Sequence, residues 1–279
     1  MRIQFIQNII DSLRNKTWGM GTLVNKYLGI EKKPNIKTLI LGSSHLMSGY
    51  LPNQDEYNLA FNSQDLYYSY KLYNKYNNNN IKNIIISFSV FTAGQKLGLG
   101  SEADACAILK IIYNIDYQYP EIAKAKKLHK KEVFYQKAYE KYLKIVNLPK
   151  NYRGEISSSK KKNIREKDIK IRALKHLKNN LRENNNLEYC TKLINATKEN
   201  NQNLIFIIPP ATTIYKSVLP SSEEIFNQFY KITQNNEHIK IINLYDSNQF
   251  NDSDFYDGDH LNNTGAKKLT KIIHDKCNL

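Results

Sequence analysis

The sequence predicts an α/β fold of the flavodoxin-like kind: three layers, α/β/α, around a central parallel sheet, with a helical insertion. Three observations lead there. Short apolar runs rich in β-branched residues recur along the chain, and helical patterns separate them. One run, Ile84-Ile85-Ile86, is continuously apolar, as a strand covered on both faces requires. Strands joined through intervening helices pair in parallel, because the helix carries the chain back to the end of the sheet where the first strand began. Size agrees: 279 residues, 41% hydrophobic and 24% charged, can bury one large core, and a single domain over 1–279 is expected.

The elements follow in order. Ile3, Phe5, Ile6, Ile9, Ile10 and Leu13 fall at helical spacing and predict an amphipathic helix packed on the fold. That segment lacks the unbroken apolar run and small-residue cleavage site of a signal peptide. A first strand is expected at Ile36–Gly42, ended by Gly and Ser, then a helix from about Ser63 to Tyr76 and a loop at Asn77–Asn80. The second strand is Ile81–Phe88. Residues 102–199 read as helical, broken at Pro120, Pro149 and an exposed Ser/Lys-rich loop at 153–162; this is the insertion, at about 100–200. Leu204–Ile208, closed by Pro209-Pro210, and Ile239–Leu244 are strands three and four. A last helix spans Gly265–Asp275, with Ala266, Leu269, Ile272 and Ile273 on one face and Thr264 as its N-cap.

The net charge of +15 is local. Between Pro120 and Arg182 stand 20 Lys/Arg against 6 Asp/Glu, a surplus of +14. Solvated Lys-rich helices account for this, and the functional alternative is a basic face for an anionic glycan. There is no zinc-finger spacing, RNP signature or heptad zipper, so nucleic acid is not an expected partner. No stretch reaches the roughly 18 consecutive apolar residues of a membrane span. Cys106, Cys190 and Cys277 are odd in number and scattered, which predicts neither a disulfide nor a metal cluster and fits a reducing compartment. The expected location is cytoplasmic, with attachment to the inner membrane surface as the alternative.

Two segments carry chemistry. The first is Leu39-Ile-Leu-Gly-Ser-Ser-His45, which ends a predicted strand with hydroxyls at the edge of the sheet where ligands of parallel α/β folds bind. The second is Asp254-Phe-Tyr-Asp-Gly-Asp-His-Leu-Asn-Asn-Thr-Gly265, just before the last helix. A serine hydroxyl becomes a nucleophile when a base takes its proton, and a histidine held by a carboxylate is suited to that near neutral pH. Asp257 and His260 stand three residues apart on one loop, with Gly258 expected to let the chain turn between them. The crowding of Asp254, Asp257, Asp259 and His260 would also suit a cation, but no second His or Cys cluster joins them. Neither a metal nor a cofactor is expected. His45, His129, His176, His238 and His274 have no legible partner and are expected in packing or surface roles.

The two segments resemble the first and last blocks of the SGNH/GDSL hydrolase superfamily. Gly42-Ser43-Ser44-His45 matches the Gly-Asp-Ser-Leu block, and Asp257-Gly-Asp-His260 followed by Gly265 matches the Asp-x-x-His block. The resemblance implies Ser44, not Ser43, as nucleophile, with Asp257 and His260 completing the triad. The middle blocks depart from the pattern. Tyr57 to Asp65 occupies the second, with Ser63 where the family has a Gly whose N–H faces the oxyanion. Ser89, after the second strand, stands where the third has an Asn. Ser63, Ser89 and Asn62 are therefore the expected oxyanion and substrate contacts. Such middle blocks are similar to the branch that modifies bacterial surface glycans. The function implied is esterase or O-acyltransferase chemistry through an acyl-serine, on an acylated carbohydrate and its acyl donor. The alternative is a catalytically inactive member that binds or assembles glycans.

Overall fold

The computed structural model describes residues 20–33, 35–156, 164–183 and 185–279. The amphipathic segment expected at 1–13, and most of the loop expected at 153–162, lie outside them. In chain order the elements are α1 (Met20–Ile30), β1 (Thr38–Leu41), α2 (Ser44–Gly49), β2 (Glu56–Asn58), α3 (Leu66–Tyr76), β3 (Asn83–Ser87), α4 (Asp104–Tyr113) and α5 (Pro120–Ala125). Then follow α6 (Leu128–Leu143), α7 (Glu166–Asn180), α8 (Leu187–Glu199), β4 (Asn203–Ile208), α9 (Thr213–Lys216), α10 (Ser222–Thr233), β5 (Ile239–Asn243) and α11 (Asn263–Cys277). They gather into two compact units, one of Met1–Pro34 with Lys96–Gly154 and one of Asn35–Gln95 with Glu155–Leu279. The helical stretch at 100–200 is thus divided: α4 to α6 belong to the first unit, α7 and α8 to the second.

The second unit holds a five-stranded sheet, parallel at every pairing, in the order β2-β1-β3-β4-β5. With helices on both faces this is the three-layer α/β/α arrangement, in flavodoxin-like strand order. Side chains alternate across each strand. Ile40, Ile85, Ile205, Ile207 and Ile242 enter one core with Leu46 of α2 and Leu269 and Ile273 of α11. On the other face Phe206 packs edge-on to Phe229 of α10, which stacks on Phe88 at 4.0 Å between ring centroids. Ile84, Ile85 and Ile86 are wholly buried. Truncating any of them to Ala should cost about 2–5 kcal/mol.

Four strands fall where the sequence places them; β2 is a fifth. It is three residues long and has no apolar run, because it carries a buried glutamate. The Glu56 carboxylate accepts from the Tyr50 hydroxyl at 2.9 Å and the Asn53 backbone N–H at 2.6 Å, and lies 3.0 Å from Nε2 of His274. Two helix starts also differ. Asp65 caps α3 by accepting from the Tyr68 N–H, so that helix begins at Leu66. Asn262, not Thr264, caps α11, its side chain accepting from the N–H groups of Thr264 and Gly265.

The described part of the first unit is helical. The Tyr113 hydroxyl of α4 donates to the Leu23 carbonyl of α1, and Asp104 of α4 receives Lys131 and Tyr135 of α6. Lys124, Lys126, Lys127, Lys130, Lys137, Lys141 and Lys144 are exposed along α5, α6 and their ends. Cys106 and Cys190 are buried, and Cys277 is half-buried. No helix among the described residues is long and apolar enough to cross a membrane.

Candidate active site

The strand order places the reversal of direction at β1 and β3, and their carboxyl ends are where this fold binds ligands. Gly42 leaves β1 with φ +105°, a conformation open to glycine. A Cβ there would stand 2.3 Å from Oγ and 2.9 Å from the backbone N of Ser87, at the end of β3. The turn is pinned to β3 by the Ser43 N–H, which donates to Ser87 Oγ at 2.9 Å. Ser44 then opens α2, half-buried.

The second segment closes on itself. Phe255 and Leu261 form an antiparallel bridge, the Tyr256 N–H donates to the His260 carbonyl, and the Asn262 N–H to the Asp254 carbonyl. Asp257 Oδ1 accepts the N–H groups of Asp259 and His260, which aims the carboxylate at the imidazole. Thr212, in the loop after Pro209-Pro210, donates through both its N–H and its hydroxyl to the Gly258 carbonyl. Gly258 itself is outside the positive-φ region; what it provides is room. A Cβ there would lie 2.6 Å from Cγ2 of Ile169 on α7. Asp254 stands apart from the histidine, its carboxylate taken by Lys268.

These two segments bring Ser44, His260 and Asp257 into line. Ser44 Oγ is 2.7 Å from Nε2 of His260, and Nδ1 of His260 is 2.8 Å from Asp257 Oδ2. With Nδ1–H donating to the carboxylate, Nε2 is left to accept the serine proton. Burial works against a charge on His260, but the nearby carboxylates of Asp259 and Asp257 outweigh it and raise its pKa above the ordinary 6.5. Burial also opposes charge on Asp257, and the bond to His260 overcomes it, holding that carboxyl below its usual range. A group whose pKa is raised on folding stabilises the fold fully below its unfolded value and loses that contribution as pH rises through the folded value. The stability difference between the native chain and His260→Gln should therefore be largest at and below pH 6.5 and shrink at higher pH, as urea melts across pH would read.

The remaining expected contacts fare differently. Ser63 lies in the turn closed by the Gln64 N–H on the Phe61 carbonyl, and the Phe61 N–H donates to the Gly42 carbonyl, so the second block flanks the serine turn. Its φ is +57°, the left-handed region that favours glycine. Ser63→Gly should accordingly be tolerated and raise stability by about 0.5–1 kcal/mol, with no loss of any Ser44 reactivity; an unchanged or lowered melt would contradict the strain. Ser89 is buried, and both its N–H and its hydroxyl engage Thr92 Oγ1, at 2.9 and 3.0 Å. Asn62 is exposed.

Sequence reasoning missed a second set of residues around the same loop. His45 is not an idle packing residue: its Nε2 lies 3.2 Å from Asp259 Oδ2, its Nδ1 3.0 Å from Ser43 Oγ, and its ring stacks on His260 at 5.1 Å. Asp259 also receives Arg172 of α7, at 2.7 and 3.4 Å. His176, one turn further along α7, lies 2.7 Å from the Tyr215 hydroxyl. The other two partnered histidines are His238, near Thr197 and the Ile194 carbonyl, and His274, beside Tyr50 and Glu56. His129 is exposed. Ile169, Arg172 and His176 share one face of α7, at i, i+3 and i+7, so that helix walls the loop of Asp257 to His260.

Among the described residues, His45, Asp259 and His260 are the one group whose ligand-type atoms come within 4.8 Å of one another. A cation there would compete with the Arg172 guanidinium for Asp259 and with Ser44 for His260 Nε2. The donors are arranged as an ion pair and a base.

No protein-family model and no curated protein matches the chain. A solved structure described as a "putative acylhydrolase" from Bacteroides fragilis NCTC 9343 superposes with a TM-score of 0.44 at 11% identity, over 94% of this chain and 98% of that one.

Proposed function

We propose that the chain is a serine esterase or O-acyltransferase of the SGNH/GDSL kind, acting on an O-acylated carbohydrate through an acyl-Ser44 intermediate. The observation that carries this reading is the unbroken line from Ser44 Oγ through His260 to Asp257, at 2.7 and 2.8 Å. His260 Nε2 takes the hydroxyl proton as Oγ bonds to the ester or thioester carbonyl carbon. The tetrahedral intermediate collapses, its leaving alcohol or thiol departing with the proton from His260. Water or a sugar hydroxyl then attacks the acyl-serine by the same steps in reverse. The backbone N–H groups of Ser44 and Ser63 are the oxyanion donors in this reading, and losing one such donor costs roughly 3 kcal/mol. The exposed lysines of α5 and α6 offer an anionic glycan a place to bind.

A specific observation favours the second reading, an inactive glycan-binding member of the same fold. The Ser89 hydroxyl, expected to assist the oxyanion, is engaged by Thr92.

Stopped-flow hydrolysis of p-nitrophenyl acetate separates the two. The acyl-enzyme reading expects an initial burst of one nitrophenolate per chain, with a rate that rises with pH through a pKa above 6.5, because only neutral His260 accepts the proton. Hydrolysis no faster than the buffer control, with the fold intact, would favour the binding module.

A further inference from the structure

We propose that Asp259, paired with Arg172 and braced by His45, is a second carboxylate acting on the base: a positioning residue for His260 beside Asp257. The proposal rests on the reading of His260 as the base of Ser44.

Two parallel lines run through this site, each Ser–His–Asp. One is Ser44–His260–Asp257. The other is Ser43–His45–Asp259, with 3.0 Å from Ser43 Oγ to His45 Nδ1 and 3.2 Å from His45 Nε2 to Asp259 Oδ2. Burial and partners separate their roles. Ser43 is 2% exposed, and its hydroxyl is enclosed by His45 and by Ser87 Oγ at 3.4 Å, so a substrate carbonyl cannot reach it as it can the half-buried Ser44. The second line ends, moreover, on a guanidinium. Burial opposes a charge on Asp259, but His260, the His45 N–H and Arg172 together outweigh it and hold that carboxyl well below its usual range.

The geometry then fixes the protons. Asp259 accepts from Arg172 and from Nε2–H of His45, which leaves Nδ1 of His45 to accept the Ser43 hydroxyl. In that tautomer His45 is a neutral ring, and burial lowers its pKa further against the pull of Asp259. Neutrality matters because its face lies on His260, where a second imidazolium would repel the first. Asp259 Oδ1 meanwhile stands 3.7 Å from His260 Nδ1, on the same proton that Asp257 holds at 2.8 Å. The imidazolium formed when Ser44 is deprotonated thus faces two carboxylates, one by a hydrogen bond and one through space. The positive charge of Arg172, beyond Asp259, trims the second.

The groups facing His260 are therefore Asp257 and Asp259 on its own loop, His45 and Ser44 on α2, and Arg172 on α7. His176 of α7 and Tyr215 of α9 stand behind them. His176 stays neutral, its pKa pushed down to about 3 mainly by burial, and burial holds the Tyr215 phenol well above its usual value. Neither changes charge near neutral pH, which leaves Asp259 and Arg172 as the two levers.

They should move His260 in opposite directions. The test is an NMR titration of the His260 ring nitrogens in the full-length chain, which needs no turnover. Asp259→Asn is expected to lower the His260 pKa by about one pH unit, and Arg172→Gln, which keeps an N–H donor for Asp259 but removes the charge, to raise it. Arg172 is 39% exposed in its side chain, so Arg172→Gln keeps the test alive if Asp259→Asn fails to fold. A His260 pKa that stays put or falls in Arg172→Gln overturns the proposal, as does no change in Asp259→Asn. The titration is also independent of the reaction. Opposite shifts in a chain whose Ser44 resists acylation would uphold the second carboxylate and discard the proposed chemistry. An acylating Ser44 with an unmoved His260 would do the reverse.

Discussion

Ser44→Ala should lower ester turnover by at least about 10⁴-fold, and His260→Ala by a similar factor, with the fold intact in both. The size of the effect follows from the geometry. Among the described residues Ser44 Oγ has one base within hydrogen-bond reach, His260 Nε2 at 2.7 Å, and without it the hydroxyl must ionise unaided. Because the two act as a unit, the double variant should be no slower than either single one. Asp257→Asn is expected to fall by a comparable factor, since its amide would no longer select the tautomer with Nδ1–H and a bare Nε2. Steady-state kinetics on p-nitrophenyl acetate read all four, and activity retained in Ser44→Ala would remove Ser44 from the mechanism.

Gly42→Ala should be the most damaging small change to the fold near the site. The added methyl would meet Ser87 Oγ at 2.3 Å and the Ser87 backbone N at 2.9 Å, and φ +105° is strained for any L side chain. Backbone strain and overpacking act together here, for an expected loss of about 2–4 kcal/mol, or about 5–10 °C in Tm for a chain of this size. The clash cannot be relieved by turning the Ser87 side chain, because the backbone N of β3 is also in the way. Ser87→Gly in the Gly42→Ala background should therefore restore only part of the loss. Thermal melts by circular dichroism decide it: a Gly42→Ala melt within 1–2 °C of the native chain, where losses under about 0.5 kcal/mol fall, would show that the turn can relax.

The parts of this molecule that were legible in the sequence are those written in local pattern. Ile84 to Ile86 announced a two-faced strand because continuous apolarity has few other uses, and Gly42-Ser43-Ser44 announced a turn because of where it follows a strand. Asp257 and His260 were legible for the same reason: three residues apart on one loop, they meet without help from the rest of the fold. What stayed hidden depends on distance along the chain. Arg172 reaches Asp259 across 87 residues. His45 looked unpartnered because its carboxylate comes from a loop more than 200 positions away; the one local signal was Asp259 standing beside His260. β2 was invisible for a different reason. Its Glu56 is a buried acid satisfied by Tyr50 and His274, and a three-residue strand that carries a buried polar side chain has no apolar signature. Helix starts moved by a few residues where several capping side chains stand in a row, as at Asn262, Asn263 and Thr264, and only the closed loop decides which one caps.

Of two adjacent serines, the site should activate one. Intact mass after incubation with a fluorophosphonate, followed by peptide mapping, tests it most directly on the native chain, Ser43→Ala and Ser44→Ala. A single adduct on Ser44 is expected, kept in Ser43→Ala and lost in Ser44→Ala. An adduct on Ser43, or one that survives in Ser44→Ala, would contradict it.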